Sequence, residues 1–76
     1  MEKILEILAD IHPEYEYDKS EDFIEEGLLD SFDIVALVSE LEENYNILID
    51  ALDIIPENFC SAKAIADVVV KNGGSL

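Results

Sequence analysis

From Ile34 to Tyr45 the apolar residues Ile34, Leu37, Val38, Leu41 and Tyr45 recur every three or four positions. At 100° per residue they share one helical face, a stripe wide enough to make this the central core helix of whatever the chain folds into. Asp30 precedes it as an N-cap, its carboxylate able to accept from backbone N–H groups two or three residues on, and Asp33 adds a second acid to the first turn. Asn46 supplies a stop, so the pattern predicts a helix over 31–45.

The other segments are read around that helix. Ile4, Leu5, Leu8 and Ile11 are helically spaced and His12-Pro13 ends the run, which predicts a first helix over 2–11. Residues 12–30 show no clear period, yet include Tyr15, Tyr17, Phe23, Ile24, Leu28 and Leu29. A loop of that length is uncommon and is usually functional or disordered; its apolar side chains predict that this one is ordered and pinned to the core. Ile47 to Leu52 read as a short apolar connection. Pro56 opens a short helix over 56–60. Ser61 caps a last helix over 62–72, with Ile65, Val68 and Val69 inward and Gly73-Gly74 at its end. With no alternating segment and no repeat, the expected fold class is all-α: a small four-helix bundle, three main helices plus one short one, with a long first loop. The expected organisation is a single domain over 1–76.

Seventy-six residues, half of them apolar, is near the lower size at which one core folds without staples, and a monomer is expected. The single cysteine, Cys60, excludes an intramolecular disulfide, and no spacing suits a zinc site, which favours a reducing compartment. With no adjacent cation to activate its thiol, Cys60 is expected to be a small buried hydrophobe. The N-terminus, MEKILEILAD, has acids inside its apolar stretch and neither a basic n-region nor a cleavage site, so no signal peptide is expected. The longest apolar run, Ile34 to Val38, is far too short to span a bilayer. A cytoplasmic location without a transmembrane segment is the expectation.

Nineteen acids stand against four lysines and no arginine, a formal net charge of −15. Phosphate contacts need Lys or Arg, so nucleic acid is excluded as a partner. Between Lys19 and Lys63 lie 12 acids and no base. Such a stretch either attracts basic partner surfaces and raises association rates, or does no more than keep a small protein soluble. No window has the alternating acids, central glycine and final glutamate of an EF-hand, so acidity here does not imply a calcium sensor.

The wheel that defines the core stripe leaves Phe32, Val35, Ala36 and Ser39 on the other side, with Glu42 and Glu43 beside them. Single exposed apolar residues are normal, but two of them ringed by acids make a small docking patch, anchors at the centre and charge at the rim. Ser31 lies at the positive end of this helix, where an attached phosphate would meet free N–H groups; the plainer alternative is an ordinary polar residue in a first turn. Self-activated nucleophilic catalysis needs a base within hydrogen-bond reach. The only histidine, His12, lies in another segment with no evident orienting partner, and is expected as a helix C-terminal residue suited to the dipole. A reactive Ser31 would therefore be modified by another protein. The adjacent pairs Glu25-Glu26 and Glu42-Glu43 imply no pocket and are expected as solvated surface.

The stretch GLLDSFDIVALVSELEENYNILI resembles the acyl carrier proteins and related carrier domains, whose hallmark is an Asp-Ser-Leu tripeptide at the start of helix two, followed by an acidic, apolar-periodic helix. Here the tripeptide is Asp30-Ser31-Phe32. The resemblance covers the whole chain: helix one, a long ordered loop, helix two, a short PENF turn at Pro56 to Phe59 and a final helix. It implies that Ser31 Oγ carries a 4′-phosphopantetheine arm, transferred from coenzyme A by a phosphopantetheinyl transferase using Mg²⁺, and that the arm's thiol holds acyl groups as thioesters. It implies that Asp30 helps place the metal in the transferase complex, and that Phe32, Asp33, Val35, Glu42 and Glu43 contact partner enzymes. The implied partners are the transferase, an acyl- or aminoacyl-loading ligase and downstream acyl-transfer enzymes with basic surfaces, in fatty acid, polyketide or related biosynthesis. The protein itself would be a carrier and not an enzyme.

Many fatty-acid carriers have glycine three residues before the serine and leucine after it; here those positions are Leu28 and Phe32, with Gly27 one place earlier. The Gly-Leu-Leu-Asp-Ser form looks more like D-alanyl carrier proteins and stand-alone aminoacyl carriers, and Ala36 stands where fatty-acid carriers often have an acid. A D-alanyl, aminoacyl or peptidyl carrier is therefore the alternative within the family. An unmodified acidic interaction module is the alternative outside it. Ser31→Ala separates the classes, abolishing function in a carrier and leaving binding nearly intact in a module.

Overall fold

The computed structural model describes residues 2–76, with helix α1 at Glu2–Ile11, α2 at Ser31–Tyr45 and α3 at Ala62–Lys71. The remaining regular structure among the described residues consists of 3₁₀ turns at Tyr17–Lys19, Ala51–Asp53 and Pro56–Phe59. The all-helical class is therefore found, with one correction: the expected fourth helix over 56–60 is a 3₁₀ turn ending at Phe59. Its length is the reason. Pro56 starts it without a side-chain cap, and Ser61 is already extended (φ −152°, ψ 161°) to cap α3. Too few residues lie between them to build an i→i−4 ladder. Met1, part of the expected 1–76 unit, lies outside the described residues.

The helix faces follow the sequence spacing. On α2, Ile34, Leu37, Val38 and Leu41 are buried and Tyr45 is half-buried; on α3, Ile65, Val68 and Val69 are buried with Ala66. On α1 the buried residues are Ile4, Ile7 and Leu8, while Leu5 and Ile11 pack at the margin. Ile7 lies nearer the centre of the α1 stripe than Leu5 does, which accounts for the exchange. Helix α1 packs on α2 and on α3, and the Pro56–Phe59 turn fills the space between α2 and α3 with Phe59 fully buried. The radius of gyration is 11.0 Å, that of a compact chain of this length, about 11 Å.

The helix ends expected at Asp30, Asn46 and Ser61 are all present. Ser61 Oγ accepts from the Ala64 N–H at 3.1 Å, and Asn46 closes α2 in the left-handed region at φ 54°. After α3 the chain turns through Gly73 at φ 94°, and a Cβ on Gly74 would collide with Val69.

The first connection, residues 12–30, is ordered as its apolar content predicts. Tyr17, Phe23 and Leu29 are buried. The Phe23 N–H donates to the Cys60 carbonyl at 2.7 Å, and the Phe23 carbonyl accepts from Leu28 and Leu29 at 2.8 and 3.1 Å, bending the chain back through Gly27 at φ 76°. Burial, and after it the charge of Asp33, pushes the Tyr17 phenol up to about 12.

Candidate functional site

Helix α2 begins at Ser31 because the residue before it closes a reciprocal cap. Asp30 is extended (φ −116°, ψ −173°), its Oδ1 accepts from the Asp33 N–H at 2.9 Å, and Asp33 Oδ2 accepts from the Asp30 N–H at 3.2 Å. The Asp30 carbonyl takes the Ile34 N–H at 2.9 Å. Between those bonds the amides of Ser31 and Phe32 find no acceptor among the described residues, and both side chains are exposed. An exposed hydroxyl thus sits beside free donors at the positive end of a 15-residue helix.

The capping carboxylate has a second partner that sequence reading missed. His12 Nε2 lies 2.9 Å from Asp33 Oδ1. An ionised carboxylate only accepts, so Nε2 carries the hydrogen. The expectation that His12 lacks an orienting partner is corrected: residues distant in sequence meet where the end of α1 crosses the start of α2. His12 is hydrogen-bonded to Asp33 and not to Ser31. Asp33, expected on the docking surface, has a side chain only 19% exposed and is committed to the cap and the imidazole.

Beside Ser31 opens an apolar cleft of about 410 Å³, walled by Ile24 and Leu29 of the first connection, Ile34 and Val35 of α2, and Ile54 and Pro56 of the second connection, with Asp30 and Ser31 at its mouth. The half-buried Ile24 and Ile54 could be read from sequence as apolar, but only the fold brings the two connections to the same helix end.

On the outer face of α2, Phe32 is 86% and Val35 67% exposed, and Ala36, Ser39 and Glu43 are exposed as the wheel requires. Glu42 is different. It is half-buried and its Oε2 accepts from the Ile49 N–H at 2.9 Å, anchoring the chain that leaves α2. The expectation that Glu42 is solvated is corrected, because α2 turns sharply at Asn46 and brings Ile49 back alongside it. Leu48 and Leu52, each 84% exposed, extend the apolar surface beyond α2.

One further expectation changes, at Cys60, and one exposed residue expected as solvated surface, Glu26, proves to be held by several bonds. Cys60 is half-exposed, its thiol donating to the Glu57 carbonyl at 3.2 Å, since it closes a turn at the surface and leaves the core to Phe59. Glu26 is exposed, yet one oxygen accepts from Ser20 Oγ and from the N–H groups of Glu21 and Asp22 at 2.9 to 3.1 Å. The Asp22 amide first, then the Ser20 hydroxyl, hold its carboxyl below the usual range.

Among the described residues no group of acids, histidines or cysteines is arranged to hold a metal ion, and no helix is long and apolar enough to cross a membrane. Comparison with curated proteins and with solved structures returned no match. A family model described as the phosphopantetheine attachment site matches residues 2–69, from α1 into the last turn of α3. The chain belongs to this phosphopantetheine-binding family, which implies a covalently attached 4′-phosphopantetheine as its prosthetic group.

Proposed function

We propose that Ser31 is the attachment residue and that the chain is an acyl carrier protein, one carrier domain over 1–76 that presents acyl or aminoacyl groups to partner enzymes. The observation that carries this reading is the exposed Ser31 hydroxyl at the capped start of α2, with the unbonded amides of Ser31 and Phe32 beside it. These donors suit a phosphodiester, and the adjacent apolar cleft offers a surface for the arm. The arm supplies a thiol that holds the cargo as a thioester. Carrier domains of this family are generally non-catalytic, and nothing in the reading requires this chain to act otherwise.

Asp30 has a part in modification. Its Oδ1 is committed to the cap, while Oδ2 has no hydrogen-bond partner among the described residues, which leaves one oxygen to help place Mg²⁺ when a phosphopantetheinyl transferase engages the chain. Docking of a loading ligase and of acyl-transfer enzymes uses Phe32 and Val35 as apolar anchors and Glu43 as rim charge; Asp33 and Glu42 contribute negative potential while holding structure. Electrostatic steering of basic partners onto a small apolar centre gives fast association without slow release. We place the protein in the cytoplasm as a monomer serving fatty acid, polyketide or related biosynthesis. D-alanyl or aminoacyl cargo is the second reading, favoured by the form of Gly27 to Ser31.

The test is intact mass before and after incubation with coenzyme A, Mg²⁺ and a broad-specificity transferase. One phosphopantetheine increment, lost in Ser31→Ala, is expected. A folded, initially unmodified chain that gains nothing would make α2 the surface of an acidic interaction module.

A further inference from the structure

A chain of hydrogen bonds ties the end of α1 to the turn that bears Ser31. The His12 N–H donates to the Leu8 carbonyl at 3.1 Å, so the imidazole projects from the last turn of α1. Its Nε2 donates to Asp33 Oδ1, while Oδ2 of the same carboxylate accepts from the Asp30 N–H. Ser31 and Phe32 are the two residues enclosed between Asp30 and Asp33. Their turn is therefore held by the side chain of the residue that follows α1 as well as by its own cap.

The surroundings make that side chain singular. Facing the imidazole are Asp33 from α2, Glu14 from the first connection with Oε1 3.7 Å from Nδ1, and the Tyr15 ring at 5.1 Å, with Tyr17 at 6.0 Å beyond Tyr15. Helix α1 adds the negative end of its dipole. Lys19, Lys63 and Lys71 are paired with Glu16, Asp67 and Asp53, and Lys3 lies over Tyr45. In a chain of net charge −15, His12 is thus, among the described residues, the basic side chain bonded to the Ser31 turn.

We propose that His12 is a positioning residue for modification at Ser31: acting through Asp33, it fixes the first turn of α2 against α1. This inference rests on the reading of Ser31 as the attachment residue. In the reaction, Ser31 Oγ forms a bond to the pantetheine-side phosphorus of coenzyme A, the phosphoanhydride bond breaks, adenosine 3′,5′-bisphosphate leaves and the serine proton passes to a base of the transferase or to solvent. His12 touches none of the reacting atoms. Its effect is to limit the orientations of the turn, and misplacement of a reacting group by about 1 Å can cost roughly a hundredfold in rate.

The test uses the ¹⁵N-labelled apo chain with His12→Gln, which keeps an N–H donor toward Asp33, and His12→Leu, which keeps none. His12→Leu should shift the Ser31, Phe32 and Asp33 amide resonances and speed their hydrogen exchange, and His12→Gln should restore both toward the wild type. At fixed pH, His12→Leu should lower kcat/KM for transferase modification by roughly tenfold, while His12→Gln stays close to the wild-type rate. Circular dichroism checks that each variant keeps its helices. Amides of the turn unmoved in His12→Leu, or a folded His12→Leu modified as fast as the wild type, would overturn the positioning role alone. A wild-type chain that is never modified would overturn the attachment reading and the positioning role built on it.

Discussion

The two connections that flank α2 are both held to the core by a fully buried phenylalanine, Phe23 in the first and Phe59 in the second, but their polar ties differ. The first, residues 12–30, is tied by carboxylates that accept backbone N–H groups: Glu26 takes those of Glu21 and Asp22, and Asp22 takes those of Ile24 and Glu25. The second, residues 46–61, is tied by an ion pair, Lys71 Nζ donating to Asp53 Oδ1 at 2.6 Å, with Asn72 donating to Asp53 Oδ2 and Glu42 holding Ile49. Local carboxylate bonds shape the first connection up to Ser31, and the Phe23 N–H ties it to Cys60. The second has local bonds at Asp50 and Asn58 as well, but its Asp53 is the carboxylate that ties it to the end of α3, and it leaves Leu48, Leu52 and Ile55 facing outward. If Ser31 is the attachment residue, as proposed, a turn of fixed shape suits it, and the exposed apolar side chains of the second connection suit a partner surface.

The largest effects should come from the anchors that the two connections share in kind. Phe23→Ala and Phe59→Ala should each cost about 3–5 kcal/mol in urea unfolding. A small cost at Phe23 alone would show that the first connection is held by its polar ties and not by burial.

Next come the polar ties. The Lys71 hydrogen bond first, then that of Asn72, hold the Asp53 carboxyl below the usual range, and Glu26 is likewise lowered. Each then contributes stability that is present above its unfolded-state pKa and is lost as the pH falls through the lowered folded-state value. Asp53→Asn and Glu26→Gln should therefore lower Tm at neutral pH, with the gap to the wild type closing in acid. Hydrogen exchange sharpens the contrast: Glu26→Gln should free amides near residues 20–26, and Asp53→Asn those near 50–59. A gap that persists in acid would remove these carboxylates from the account.

The inner face of α2 was legible in the sequence because burial on a helix repeats at the helical period, and Asp30, Asn46 and Ser61 were legible because caps are local chemistry. The reading of Ser31 used the same locality, a residue type at a helix start together with a resemblance. The pairs His12–Asp33 and Asp53–Lys71 were not legible, since each joins side chains that only the tertiary fold brings together. The turns at Tyr17–Lys19 and Ala51–Asp53 are too short to leave a period. Glu42 was misjudged for a related reason: the wheel gives its direction from the α2 axis but not the return of Ile49 beside it.

Smaller effects test the margins. Tyr17→Phe removes the bond from the Tyr17 hydroxyl to the Leu28 carbonyl, 3.3 Å, and should cost about 0.5–1.5 kcal/mol. Glu43→Lys should change stability by no more than about 0.5 kcal/mol, yet slow association with a basic partner enzyme at low ionic strength and flatten its salt dependence. Unchanged association kinetics would count against the outer face of α2 as the docking surface.

The proposed attachment at Ser31 requires that one hydroxyl, set by the Asp30 cap, receive the arm. The chain has five serines, at 20, 31, 39, 61 and 75, and Ser39 is exposed on the same helix. The most direct measurement is fragmentation mass spectrometry of the intact chain after transferase treatment, reading which serine bears the added phosphopantetheine. The full increment is expected on Ser31 and none on the other four. An increment on Ser39, or spread over several serines, would contradict it.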